Sequence, residues 1–447
     1  MPEIQWKPGQ SAPVLQGSEP AVETQVMTSR LKYKCLPGRA IMVENDNIYR
    51  PIQYLGCKSK LLNSIMETAS AHLNEGKTAV DLFSGTAVVS QAFSKRTKVI
   101  GIDSAKFSKS IFEATVNRPE FEFNAESYEN EVFEPSENEK KEEKYISNNE
   151  FAKLISFYKK NNKEFNENYE PSNKWWMENT ENGERWIEAI YGGHFFSFKQ
   201  ARILSEFRKK NNEEHNKPAY LCALLSAASN MSCSAGKHFA APLNFLGEET
   251  THFVQKRLMQ DRKKDAKKYF LDSLERLRQL KKTSYGGTSK YITAVLPKIP
   301  ELDEPISLFY ADPPYTTDQY SRYYHVLETL TTNKKFYLEL SRNRTPYLGR
   351  YPEARKNSDF SSTKKATAAF ETLFKNISKY STPFILSYST PKANSRCRTL
   401  EIKEIRELLE SNFKTVGETI TLKHGYKPLQ PKNKKAESSH EVLVVAK

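Results

Sequence analysis

The sequence predicts an α/β protein whose parallel sheet is interrupted by one large, mainly helical insertion. Short apolar runs recur near both ends of the chain, at residues 79–83, 99–102, 306–310, 384–388 and 441–445, with helical patterns between them. The first two runs are joined by the turn Ser84-Gly85-Thr86 and an apolar helical stretch at residues 87–93, the opening of a parallel unit. Between residues 119 and 296 the character changes to charge runs and long amphipathic patterns, such as residues 269–280.

Taken in order, residues 1–48 carry Pro, Gly, Ser and Gln with little periodicity and read as an arm or a flexible lead-in. Order is expected from Pro51 onward. Residues 49–118 and 297–447 form the sheet-bearing domain, and residues 119–296 the insertion. After the run at 306–310 comes a helix carrying Phe370, Leu373, Phe374 and Ile377. A second helix places Ile402, Ile405, Leu408 and Leu409 on one face, and residues 419–422 precede the last run.

The chain has 447 residues, 38% of them hydrophobic and 12% aromatic, enough to fill more than one core and to exclude a wholly disordered protein. Lys and Arg number 68 against 54 Asp and Glu, a formal charge of +14 that points to a polyanionic partner, nucleic acid first. The start lacks the layout of a signal peptide, and the longest apolar stretch, residues 220–228, is too short to cross a bilayer. A soluble, cytoplasmic protein is therefore expected. Cys35, Cys57, Cys222, Cys233 and Cys397 lie far apart without zinc spacing, so reduced thiols and no metal are expected.

Two segments carry chemistry. The turn from Asp81 through Phe83, Gly85 and Thr86 to Ala87 puts small residues where a strand hands over to a helix, the crevice in which α/β sheets bind nucleotide-like ligands. Asp103 ends the next strand, where a carboxylate can accept from ribose hydroxyls; the plainer alternative is an ordinary turn with an acid as helix cap. The full G-x-G-x-x-G fingerprint is missing, which argues against NAD. Asp312-Pro313-Pro314-Tyr315 follows an apolar strand, and its two prolines force an extended turn. The Asp312 carboxylate and the Pro313 carbonyl can then face one pocket as acceptors beside the Tyr315 ring, an arrangement suited to a planar substrate with an exocyclic amine.

Together with residues 54–62, which include Tyr54, Gly56 and Lys58, these segments resemble the Dam-like alpha group of DNA adenine-N6 methyltransferases. The order matches as well: cofactor motifs, insertion, then the D-P-P-Y tetrad. Tyr191-Gly-Gly-His-Phe-Phe-Ser197, Gly236-Lys-His-Phe239 and residues 320–330 also look similar to such enzymes, and the likeness runs from Pro51 to Lys447. The resemblance implies a Rossmann-like, S-adenosylmethionine-dependent sheet. In it Asp81, Phe83, Gly85 and Thr86 would line the cofactor, Asp103 would hold its ribose, and Tyr54, Gly56 and Lys58 would approach its methionine end. Lys58 would there offer a cation to the methionine carboxylate. Ala87 departs from the family's cofactor loop, and residues 290–300 lack the acid that many members carry before the catalytic strand.

The implied reaction methylates adenine N6 in double-stranded DNA after the base is flipped out, with Asp312, Pro313 and Tyr315 as the catalytic group. The insertion would recognise the target through basic clusters at Lys199, Arg202, Arg208, Lys209 and Lys210 and at Lys256, Arg257, Arg262, Lys263, Lys264, Lys267 and Lys268, near Trp175, Trp176 and Trp186. His194, His238 and His325 read as structural. A cognate restriction endonuclease is a possible partner. Cytosine N4 or RNA adenine remain alternative substrates, although Asp rather than Ser at 312 favours adenine, and a non-catalytic DNA-binding module is the rival from another class.

Overall fold

In a computed structural model the described residues are 48–169, 185–213, 218–247, 250–280, 288–334, 336–390, 399–426 and 439–447. The arm, Cys35, Cys397, Trp175 and Trp176 lie outside them. Seven strands form one sheet in the order β3-β2-β1-β4-β5-β7-β6. They are β1 (Thr78–Leu82), β2 (Lys98–Asp103), β3 (Lys290–Thr293), β4 (Ile306–Ala311), β5 (Phe384–Thr390), β6 (Ile420–Tyr426) and β7 (Ser439–Ala446). The first five run parallel, and β7 is antiparallel to both its neighbours.

Strands β1 and β4 are central and buried along their whole length, which is why they read as unbroken apolar runs. Alternate residues face opposite layers. Val80, Leu82, Ile100 and Ile102 pack with Phe370, Leu373 and Ile405; Ala79, Val99, Leu308 and Tyr310 pack with Leu62, Ile65, Val88 and Phe93. The helices involved are α1 (Leu62–Ser70), α2 (Val88–Phe93) and α3 (Lys106–Phe112) early in the chain. At Gly101 an added Cβ would meet the Phe112 ring at 2.6 Å, so glycine is what lets α3 lie against β2.

The insertion contributes α4 (Glu137–Ser147), α5 (Phe151–Asn168), α6 (Phe198–Glu213), α7 (Pro218–Met231), α8 (His252–Arg262) and α9 (Ala266–Arg278). Helix α7 holds the longest apolar stretch and is buried nearly all round, hence its lack of a polar face. It shares one core with Phe270 and Leu274 of α9, with Phe107 and Ile111 of α3, and with Val326, Leu327 and Leu330 of α10 (His325–Thr332). The inserted helices are thus packed directly onto the sheet domain. Helices α11 (Ala366–Ser378) and α12 (Ile402–Glu410) complete the fold. Among the described residues no helix is long and apolar enough to cross a membrane.

One boundary differs from the sequence reading. Strand β3 falls within residues 119–296, yet it pairs in register with β2, Ile100 opposite Lys290 and Asp103 opposite Thr293. It lies at the sheet edge, is four residues long and has an exposed or half-buried pattern, so it leaves no apolar run to read.

Candidate active site

The two chemistry-bearing loops meet because β1 and β4 are neighbours: Asp81 lies opposite Tyr310 and Leu82 opposite Ala311, so both strands release their loops at one edge. Strand β1 sits between β2 and β4, the switch point where such sheets open a crevice. The loop after β1 is tightly wound, with positive φ at Phe83 (62°), Gly85 (48°) and Ala87 (55°). Ala87 holds a left-handed conformation that costs an L-residue about 1–2 kcal/mol, which is where a glycine would have been expected. Asp103 braces this loop, accepting from the Gly85 amide through Oδ2 and the Ala105 amide through Oδ1, both at 2.9 Å.

Asp81 is buried and accepts from Ser90 Oγ at 2.5 Å, tying β1 to α2; burial pushes its carboxyl up to about 7. Phe83 packs edge-on against Phe360, with centroids 5.0 Å apart. The Tyr54 ring stacks on Tyr324 at 4.6 Å, and an added Cβ at Gly85 would stand 3.1 Å from it. Gly56, with φ 75°, brings its backbone near the hydroxyls of Tyr320 and Tyr315. Thr86 is buried in the same turn.

Lys58 follows directly in a short 3-10 turn and is 4% exposed. Its Nζ lies 2.8 Å from Asp312 Oδ1 and 3.5 Å from Glu441 Oε2, closed between two carboxylates, whereas the resemblance put it against the cofactor's methionine end. Those carboxylates raise the Lys58 ammonium well above its usual range against the opposing effect of burial. Asp312 is 21% exposed, and burial, opposed by Lys58, raises its carboxyl to about 6. Tyr315 is buried: its hydroxyl donates to Glu441 Oε1 at 3.2 Å and its ring meets Tyr388 edge-on. The sequence reading missed Glu441. It precedes the buried Val442, Leu443 and Val444, and nothing in that run distinguishes an inward carboxylate from an edge charge.

Several expected surface cations are interior. Arg202 forms a buried pair with Glu139 at 2.5 Å, Arg208 donates to the Leu330 carbonyl at 2.6 Å, and Arg262 donates to the His194 carbonyl at 2.8 Å. Asp261 gathers Lys237, Arg257 and Lys264. These side chains hold the insertion together, while Lys199, Lys209, Lys256, Lys263 and Lys268 of the same clusters are exposed. Trp186 is buried and donates to Asn333. The histidines are structural in placement: His194 contacts the Leu348 carbonyl at 2.8 Å, and burial lowers His325 to about 3 and His238 to about 4.

The site suits a neutral-to-cationic nucleoside better than a polyphosphate. Lys58, the cation at the tetrad, is already matched by two carboxylates, while the Asp103 carboxylate, which accepts from the Gly85, Ala105 and Ser104 amides, lies beside the Tyr54 ring. Among the described residues no group of His, Cys, Asp or Glu is arranged to hold a metal ion. A family model described as D12 class N6 adenine-specific DNA methyltransferase matches residues 54–359. A curated protein, modification methylase LlaI of Lactococcus lactis subsp. lactis, is 25% identical over 343 residues, covering 76% of this chain and 46% of that protein. The chain therefore spans about half the length of the curated relative it matches.

Proposed function

Because the chain belongs to the D12 class of N6 adenine-specific DNA methyltransferases, we propose that it methylates adenine N6 at a specific duplex DNA sequence, using S-adenosylmethionine. The observation that carries this reading is the Asp312 carboxylate standing at the edge where the Gly85 loop and the tetrad adjoin. When bound, the cofactor supplies an electrophilic methyl group. Asp103 would hold its ribose, with Phe83, Gly85, Thr86, Tyr54 and Gly56 forming the wall and Asp81 bracing the loop from within. Lys58 acts on the tetrad side.

An adenine amine is a weak nucleophile because its lone pair is delocalised into the ring. With one N6 hydrogen on Asp312 and the other on the Pro313 carbonyl, the nitrogen is held pyramidal and its lone pair turns out of the ring plane. Asp312 then takes the proton released on alkylation. The amine is paired within a duplex, so the base must be extruded, at a cost of a few kcal/mol. Tyr315, engaged by Glu441, shapes the pocket that receives it. By likeness to a modification methylase we place the protein in a restriction–modification system, with a cognate endonuclease as partner. The test is transfer of labelled methyl groups from S-adenosylmethionine to duplex DNA, followed by mapping of the modified base. Label on cytosine, on RNA alone, or on neither would overturn the reading.

We place the target-recognition surface on the exposed insertion lysines and on a ribbon at residues 337–353. Its two arms pair through Glu339 with Tyr351 and Ser341 with Thr345, both at 2.8 Å. Its tip exposes Arg342, Asn343 and Arg344, beside Tyr347 and Leu348 at 42% and 56% exposure. Arg355 joins this ribbon to the segment after the tetrad by contacts with Glu339 and Ser321. Replacing Arg342 and Arg344 together by alanine is expected to weaken DNA binding. The slope of log affinity against log salt should fall by about 2, while cofactor affinity holds. A titration across salt concentrations checks this, and an unchanged slope would remove the ribbon from the interface.

A further inference from the structure

The reading above gives catalytic roles to Asp312 and the Pro313 carbonyl, and leaves the buried acid on β7 with only its bond to Tyr315. Glu441 reaches the tetrad because β7 runs antiparallel to β5, with Ser389 opposite Glu441. That register sets it at the edge where the parallel strands release their loops. It is 5% exposed and touches both Lys58 and Tyr315. A strand residue preceding Val442, Leu443 and Val444 would be cheaper as an apolar side chain, since burying a carboxylate carries a large desolvation cost.

We propose that Glu441 is a positioning residue of the methyl-transfer site: it fixes Lys58 and Tyr315 and leaves the cluster one net negative charge. This rests on the methyltransferase reading. Lys58 and Asp312 alone would cancel; a second carboxylate leaves one charge uncompensated while Asp312 is ionised. As N6 bonds to the methyl carbon, the carbon–sulfur bond of the sulfonium breaks and the surplus N6 proton passes to Asp312. The cluster then becomes neutral, with Lys58 still matched by Glu441. Without Glu441 the same proton transfer would strand a buried ammonium. The other groups facing the cluster are Tyr54 before Lys58, Asp81 from β1, Tyr310 from β4, and Tyr315 and Tyr320 after it. Burial raises the Tyr310 and Tyr315 hydroxyls well above their ordinary range, which keeps both neutral.

Glu441→Gln keeps the shape and an acceptor for Tyr315 but removes the charge. Its single-turnover rate is expected to fall about tenfold or more. Because Glu441 raises the Asp312 carboxyl, the acid limb of the rate profile should move to lower pH. Binding supplies a second readout. Affinity for sinefungin, which carries an extra ammonium at the sulfonium position, should drop severalfold relative to S-adenosylhomocysteine, whose thioether there is uncharged. Glu441→Asp retains the charge and should keep the wild-type limb, and it decides the matter if the glutamine variant does not fold. A rate within about twofold of wild type, or a uniform loss with both the limb and the affinity ratio unmoved, would overturn the proposal. Absence of any methyl transfer by the wild-type protein would instead sink the functional reading, and the affinity ratio would still report on the charge.

Discussion

Asp312→Ala is expected to reduce turnover by about two orders of magnitude or more while leaving affinity for S-adenosylmethionine and duplex DNA within a few-fold of wild type. The carboxylate is a preorganised acceptor, held at 2.8 Å from Lys58, and alanine offers the amine nothing in its place. Single-turnover transfer, calorimetry and a DNA titration together check this, and near-normal turnover would discard the role. The same group is expected to set the acid limb. With its carboxyl raised to about 6, mainly by burial, the wild-type rate should climb as pH rises through that value, because only the ionised form accepts both the hydrogen bond and the proton. The stability effect has the opposite sign. The fold binds this proton more tightly than the unfolded chain, so the group's contribution to stability declines as pH rises from 3.8 through about 6.

The second large effect is expected at Lys58. Lys58→Met keeps much of the stem and removes the charge between Asp312 and Glu441. Two carboxylates then face each other in a buried site, and one of them must take up a proton. Lys58 lowers the Asp312 carboxyl, so its loss should move the acid limb to higher pH, opposite in direction to Glu441→Gln. Turnover near neutrality should fall roughly 100-fold. Cofactor affinity should change little if the lysine serves the tetrad, and should collapse if it serves the methionine carboxylate. A rate–pH series with parallel cofactor titrations separates the two.

Much of the sheet was legible. The apolar runs at residues 79–83 and 306–310 are buried on both faces in β1 and β4, so no polar alternation obscured them. Asp103 could be picked out because it ends the next run, and its bonds to the Gly85 and Ala105 amides are local. Strand β3 left no signal, being short and half exposed at the sheet edge. The basic clusters misled for a different reason. A charge run looks the same in sequence whether a side chain reaches solvent or, like Arg202, folds inward onto Glu139. Nor could spacing show that Lys58 would close on Asp312, or that Tyr315 would reach an acid 126 positions away.

The sequence by itself determined the family: a glycine turn after one strand, a proline-locked acid after another, and a likeness across both. Those are local facts, fixed by which backbone angles and side-chain atoms a few adjacent residues can offer. Tertiary structure alone decided the electrostatics. Whether Lys58 is a free cation or a matched one, and whether the cluster keeps a negative charge, depends on β7 turning antiparallel to bring Glu441 to the tetrad. Strand order is a property of the packed sheet, and charges act through distance and burial rather than through sequence separation.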